Sequence, residues 1–384
     1  MVGGFTTTTI ARAFGATTNA IFLALFALYL WCPVHRFPEA RPFHGERWYN
    51  PYAGVTAATP WRKVNLHAHS QAWGGLTNGH GSADEVLKQY RALGYDAAPV
   101  SNYQEISRAT GADSTSLTVY EHGFNVRKAH FLAVSPRAVD WLDYPLFQSR
   151  DEEQHRIDRL RASSALVIMA HPRLRHAFGP TELRALTGYA AMEIGSNAAV
   201  GQSAWDLALD AGRPVWAVAN DDTHDASEPN EIGYYWTMFA SPTVDAASLT
   251  SALRRGSVYA VFGHEGRADI ALEDVALIGD TLSIELRGGA ADITLIGPGG
   301  KPMAQVTGTR SARWILPCEA TWVRVVARTR STQLFLEPFV RSEDGRMPVV
   351  AATVAEVPTT LRRLLAIVLL LGAAVPNDTR EVDR

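Results

Sequence analysis

The segment KVNLHAHS, residues 63–70, closes a short apolar run with His67 and His69. Alternation along an extended chain puts residues i and i+2 on one side, so the two imidazoles face the same way. Similar groups recur at the ends of other apolar runs. Glu121 and His122 close SLTVYEHG, His130 opens HFLAV, and His171 follows ALVIMA. Glu193 and Asn197 lie in MEIGSN, and Asp221, Asp222 and His224 follow PVWAVAN as NDDTH. Neutral imidazole and carboxylate suit Zn²⁺, Mn²⁺ or Fe²⁺. The two cysteines, Cys32 and Cys318, lie far apart and imply neither a disulfide framework nor a thiolate site. A bound ion brings the pKa of its water from about 16 toward 7, and a pair of ions also clamps an anionic ester. A glutamate has two oxygens with which to bridge such a pair.

Short strands are needed to bring these groups together. Candidates are 63–67, 96–101, 116–121, 129–134, 165–170, 190–195 and 214–220, apolar and β-branched as buried parallel strands are. Helices alternate with them. SADEVLKQYRALG carries a Ser82/Glu85 capping box and a Gly94 stop, with Val86, Leu87, Tyr90 and Leu93 on its buried stripe. The stretches 203–212 and 245–256 end on glycine in the same way. Strands alternating with helices indicate an α/β barrel or a doubly wound sheet over 61–265. In a barrel the loops after the strands share one face, so the polar groups converge. From 266 to 345 alternating runs broken by glycine pairs read as a small antiparallel β-sandwich.

Both ends differ from this pattern. Residues 13–34 carry no charge and are long enough for a ~30 Å hydrocarbon core, which predicts an N-terminal transmembrane helix in a 1–60 anchor and linker. The bulky LYLWC disfavours a signal-peptide cut. The tail 346–384 holds a shorter apolar run, 364–375, as a second membrane segment or a packing helix. Arg36, Arg41 and Arg47 after the first segment tilt the middle of the chain toward the cytoplasmic side of a membrane partner. The net charge of -3 and the lack of a Lys/Arg run argue against nucleic acid.

NLHAHS, the glutamate of YEHG, His130 in KAHFLAV, MAHP, MEIGSN and NDDTH together resemble the PHP family, the polymerase and histidinol phosphatase type of metal-dependent phosphoesterase. The resemblance implies a distorted (β/α)7 barrel with metals at the strand ends. It implies one ion on His67, His69, Glu121 and Asp222. A second would share Glu121 and take His130 and His171, and His224 would belong to a third position. The chain departs from the family at Ser101-Asn102-Tyr103, where Thr-Asp-His is usual, and in the Gly-rich loop after Ser70. These departures predict two divalent ions rather than three, with His224 free for another task.

The expected reaction is attack by a metal-bridging hydroxide on a small phosphorylated substrate, with Asp222 and His224 as catalytic residues. Asn102, Tyr103, Arg173 and Asn197 are substrate-binding candidates, and Trp73 with Gly74 and Gly75 a substrate-facing loop. His122, beside Glu121, points to the opposite face of a strand and reads as structural, as does His264; His80 is a spare ligand candidate. Two other readings stay open: a metal-dependent hydrolase of an amide or other non-phosphate bond, and a non-catalytic ligand-binding barrel.

Overall fold

The computed structural model describes residues 7–110 and 116–374. The outermost parts of the predicted anchor and tail, 1–6 and 375–384, lie outside them. Seven helices are present among the described residues: α1 (Thr7–Trp31), α2 (Ala83–Ala92), α3 (Arg150–Ser163), α4 (Pro180–Ala185), α5 (Gln202–Asp210), α6 (Ala246–Arg255) and α7 (Glu356–Ala374). Local chemistry sets their ends. Ser82 Oγ accepts from the Glu85 amide while the Glu85 carboxylate accepts from the Ser82 amide. Ser149 and Glu152 form the same box on α3. Asp245 caps α6, and Gly256 ends it at φ 75°, a left-handed position that costs glycine nothing.

The predicted closed barrel is not formed. Five strands make one sheet in the order Val119–His122, Phe131–Val134, Leu166–Met169, Ala191–Gly195, Trp216–Ala219. The last three are parallel, but Phe131–Val134 runs antiparallel to both its neighbours. The link 123–130 is too short for the helical crossover that parallel pairing needs, so a hairpin results. Trp61–Val64, Tyr235–Ala240 and Val258–Phe262 pair antiparallel in a separate nine-stranded sheet. The expected strand 96–101 makes only a bridge between Ala97 and Val64; Pro99 within it lacks a ladder donor.

The strands of the predicted small sandwich, 266–345, share a sheet with strands that precede them. Val258–Phe262 pairs with Gln333–Leu336, so the nine-stranded sheet runs on through Trp322–Arg328, Ala291–Gly297 and Lys301–Thr309. A three-stranded sheet (Ile270–Ile278, Thr281–Gly288, Ser311–Ile315) packs its apolar side against this sheet, in a core with Ile293, Val325 and Leu334.

The membrane expectations fail on hydropathy. Among the described residues, no helix is long and apolar enough to cross a membrane. The stretch 13–34 is uncharged, but Gly15, Thr17, Thr18 and Asn19 dilute its apolar content. α1 packs on α7. Arg362 of α7 donates to the Tyr29 carbonyl, and the Tyr29 hydroxyl accepts from the amides of Leu146 and Phe147. The predicted transmembrane helix and membrane-anchored location are thereby withdrawn.

Candidate metal centre

His67 and His69 do not stand on a strand: Trp61–Val64 ends before them. They sit on an extended segment sewn to its neighbours by side-chain amides. Asn220 Oδ1 accepts from the Leu66 amide, and Asn65 Oδ1 accepts from the Asp221 amide. Backbone bonds join Asp222 N to the His67 carbonyl at 2.9 Å and His69 N to the Thr223 carbonyl at 2.8 Å. The two HxH-side and DDTH-side segments therefore hold each other in register, with Ala68 bridged to Thr223.

Glu121 enters from the strand Val119–His122, and its amide is fixed by the Ser101 carbonyl. His130 precedes Phe131–Val134, whose antiparallel course starts it at the same edge. Its predecessor Ala129 is held by Asn125, and the buried Arg156 of α3 donates to the Ala129 carbonyl at 2.8 Å. Gly123 lies against the His130 ring at φ 143°; a Cβ there would meet His130 Cδ2 at 2.5 Å.

Four of the converging atoms form a ligand set. His67 Nε2 lies 3.4 Å from Glu121 Oε2 and 3.1 Å from Asp222 Oδ1, and His69 Nε2 lies 3.2 and 3.4 Å from the same two oxygens. All four atoms are buried and lack a hydrogen-bond partner. Buried polar atoms are normally paired, so this grouping needs an explanation. A tetrahedral ion with bonds of about 2.0–2.1 Å sets its ligands about 3.3 Å apart. The donor set thus fits a divalent metal ion in element type, spacing and burial.

The other oxygen of Glu121 faces the remaining imidazoles. Oε1 lies 2.5 Å from His130 Nδ1 and 3.0 Å from His171 Nε2. The first distance is a hydrogen bond, tighter than two ligands of one ion stand. Two trios that share His67 thus offer converging ligand atoms, His67/His69/Asp222 and His67/Glu121/His171, while His130 is drawn in on Glu121 by its hydrogen bond.

Charge follows this layout. Burial pushes His67, His69 and His171 down, but the carboxylates around them outweigh it and raise all three. At His130 burial prevails and its pKa is lowered. Burial opposes ionisation of Glu121 and Asp222, yet the imidazoles hold Glu121 well below the carboxylate range and Asp222 at about 2. A cation entering such a site displaces imidazole protons.

Strain gathers here. Among non-glycine residues with positive φ are His171 at 26° and Asp222 at 54°, with Trp73, Gln104 and Lys128 in the flanking loops. Such conformations cost on the order of 1–3 kcal/mol each and persist where the surroundings enforce them.

His67, His69, Glu121, His130, His171 and Asp222 are thus brought together, with His224 at their edge. The His224 ring stacks on His69 at 4.5 Å, and its Nε2 lies 3.5 Å from Tyr103 Oη. Tyr103 also stacks on His69, at 4.5 Å. Asn102 is buried and engaged with Ser70, accepting from its amide and donating to its hydroxyl. Arg173 donates to Ser203 Oγ and Asn197 to the Glu231 carbonyl, partners outside the donor cluster. His122 turns away to the Leu142 carbonyl, and burial beside Arg156 lowers its pKa to about 4. His80 pairs with Asp225 at the surface, and His264 lies against Tyr234.

Glu193 is the residue whose part the sequence did not reveal. It is buried and holds three donors: His67 Nδ1 at 3.2 Å, the His171 amide at 2.9 Å and Asn220 Nδ2 at 2.9 Å. A hydrogen bond at Nδ1 selects the tautomer that leaves Nε2 bare for a ligand bond. A carboxylate inside the fully apolar run AAMEIG was the available signal.

No family model and no curated protein matches the chain. Among solved structures, it is similar to a two-domain protein from Bacteroides vulgatus described as containing a predicted PHP-like metal-dependent phosphoesterase. That match has 14% identity and a TM-score of 0.41, covering 81% of this chain and 92% of that one. The case for a metal centre rests on the donor geometry.

Proposed function

We propose that the chain is a metal-dependent hydrolase of a phosphate ester, working at a two-ion centre. The observation that carries this reading is the set of four buried, partnerless donor atoms in which each imidazole nitrogen stands 3.1–3.4 Å from both carboxylate oxygens, with the second oxygen of Glu121 turned to His130 and His171. His67, His69, Glu121 and Asp222 would hold one ion, and Glu121, His130 and His171 the other. Zn²⁺, Mn²⁺ or Fe²⁺ suits these donors. Bound divalent ions would supply a nucleophile at neutral pH and offset charge on the phosphoryl oxygens.

The remaining groups serve substrate and proton. Burial and the nearby His69 lower the pKa of His224. Burial and neighbouring carboxylates raise that of Tyr103, whose hydroxyl stays protonated. The Tyr103 hydroxyl and His224 together face the leaving-group side as hydrogen-bond donor and proton relay. Asp222 would be a ligand of the ion it shares with His67 and His69. Asn102 acts by fixing the loop after His69.

The full chain, supplied with Mn²⁺ or Zn²⁺, is screened against phosphomonoesters, phosphodiesters and amides. Hydrolysis of a phosphate ester, lost on chelation, is expected. Cleavage of amides alone, or tight metal binding without any turnover, would overturn the reading in favour of another hydrolase or a ligand-binding protein.

A further inference from the structure

Large aromatic side chains left in solvent adjoin the donor cluster through the half-buried Tyr103. Tyr103, which stacks on His69, begins the series. Its carbonyl accepts from Trp73 Nε1 at 2.8 Å, and its ring lies 6.4 Å from that of Phe124. Trp73 meets Trp141 edge-on at 5.6 Å. Trp73 is 39% exposed, Phe124 52% and Trp141 61%. Burying one such ring is worth roughly 2–3 kcal/mol, so several kept wet side by side mark a binding surface.

Trp73, Phe124 and Trp141 come from three separate loops, and short local chemistry sets the first two in place. The bond from Trp73 Nε1 ties its loop to Tyr103. Asp143 accepts from the Phe124 amide at 2.5 Å and orders the turn after Gly123. The Lys128 ammonium stands 5.5 Å from the Tyr103 ring centre. The surface is continuous with the donor cluster through Tyr103, which touches both His69 and His130 by ring contact. Ring faces and edges at such angles favour another flat aromatic ring over an alkyl chain.

Resting on the phosphoesterase reading, we infer that Trp73, Phe124 and Trp141 form a subsite for an aromatic ring carried by the substrate. The enzyme thus selects aryl-bearing phosphate esters over alkyl ones.

Binding tests this without turnover. Phenylphosphonate and methylphosphonate are titrated into the Mn²⁺-loaded full chain, read by calorimetry and by tryptophan fluorescence. The wild type is expected to prefer phenylphosphonate at least tenfold, with quenching by that probe. In Trp73→Ala/Trp141→Ala the preference falls toward one. Trp73→Phe, which keeps a ring, restores most of it. Circular dichroism and metal titration check that each variant is folded and loaded. Equal affinity for both probes in the wild type, or a preference that survives the double variant, overturns the aromatic subsite alone. Failure to hydrolyse any phosphate ester while the preference holds overturns the proposed reaction alone. Binding of neither probe overturns both.

Discussion

Replacing Glu193 by glutamine keeps its shape and exchanges one acceptor oxygen for an NH₂ donor. In the wild type one oxygen accepts from the His171 amide and the other from both His67 Nδ1 and Asn220 Nδ2. A glutamine can serve only one side as acceptor. With its oxygen toward His171, its NH₂ group meets two donors. His67 relieves the conflict by moving its proton from Nδ1 to Nε2, the atom that faces Glu121 and Asp222. A ligand bond then requires that proton to be moved back. Loss of such an outer partner typically weakens metal binding 10–100-fold, about 1.4–2.8 kcal/mol. The folded apo protein loses about 1–3 kcal/mol for the imperfectly satisfied donors. Calorimetric titration of Zn²⁺ or Mn²⁺ measures the first quantity, and denaturant unfolding of the apo protein the second. Glu337→Gln is the control. That carboxyl is also buried, accepts from the Ala217 amide, and is driven well above its ordinary pKa by burial. If Glu193→Gln binds metal as tightly as wild type, or loses no more affinity than Glu337→Gln, the tautomer reasoning is refuted.

Three further outcomes are expected. His67→Ala/His69→Ala should abolish tight metal binding and any hydrolysis while the far-ultraviolet spectrum persists; full activity in that variant would remove these residues from the centre. Gly123→Ala forces a Cβ against His130, so it should weaken the second of two metal-binding steps tenfold or more and spare the first; equal loss in both would count against His130 as a second-ion ligand. His35 offers a pH test away from the cluster. Burial opposes its charge, but bonds to Asp151 and Asp158 outweigh that and raise its pKa from 6.5 to about 9. Its stabilisation is therefore complete below about pH 6.5 and lost as pH climbs through about 9. The aspartates are partly solvated, which reduces the effect to ~1–2 kcal/mol. The difference in unfolding free energy between wild type and His35→Ala should shrink across that window; a constant difference would show that His35 is not charged in the folded state.

Several elements were legible without the structure because their causes are local. The Ser82/Glu85 box, the Gly256 stop and the apolar runs at 131–134, 166–169, 191–195 and 216–219 depend on neighbours in sequence. Strand pairing does not. The antiparallel entry of Phe131–Val134 and the fusion of Val258–Phe262 with Gln333–Leu336 depend on partners far along the chain. The short 123–130 link was a readable warning against a closed barrel, since it leaves no room for a crossover helix. The uncharged stretch 13–34 misled because absence of charge is not high hydropathy.

The amino-acid types at 67, 69, 121, 130, 171 and 222 by themselves pointed to a metal-ligating cluster, because imidazole and carboxylate gathered with no thiol alternative suit a divalent ion. Only the tertiary structure decided which atoms share a site. Glu121 divides its two oxygens between two groups of imidazoles because a hairpin starts His130 at the edge where Val119–His122 ends. Glu193 governs His67 across 126 positions of sequence. Trp73 meets Trp141, and Phe124 meets Tyr103, only when their loops pack together. Distances between ligand atoms are set by packing and hydrogen bonds among remote segments, and residue spacing along the chain carries no measure of them.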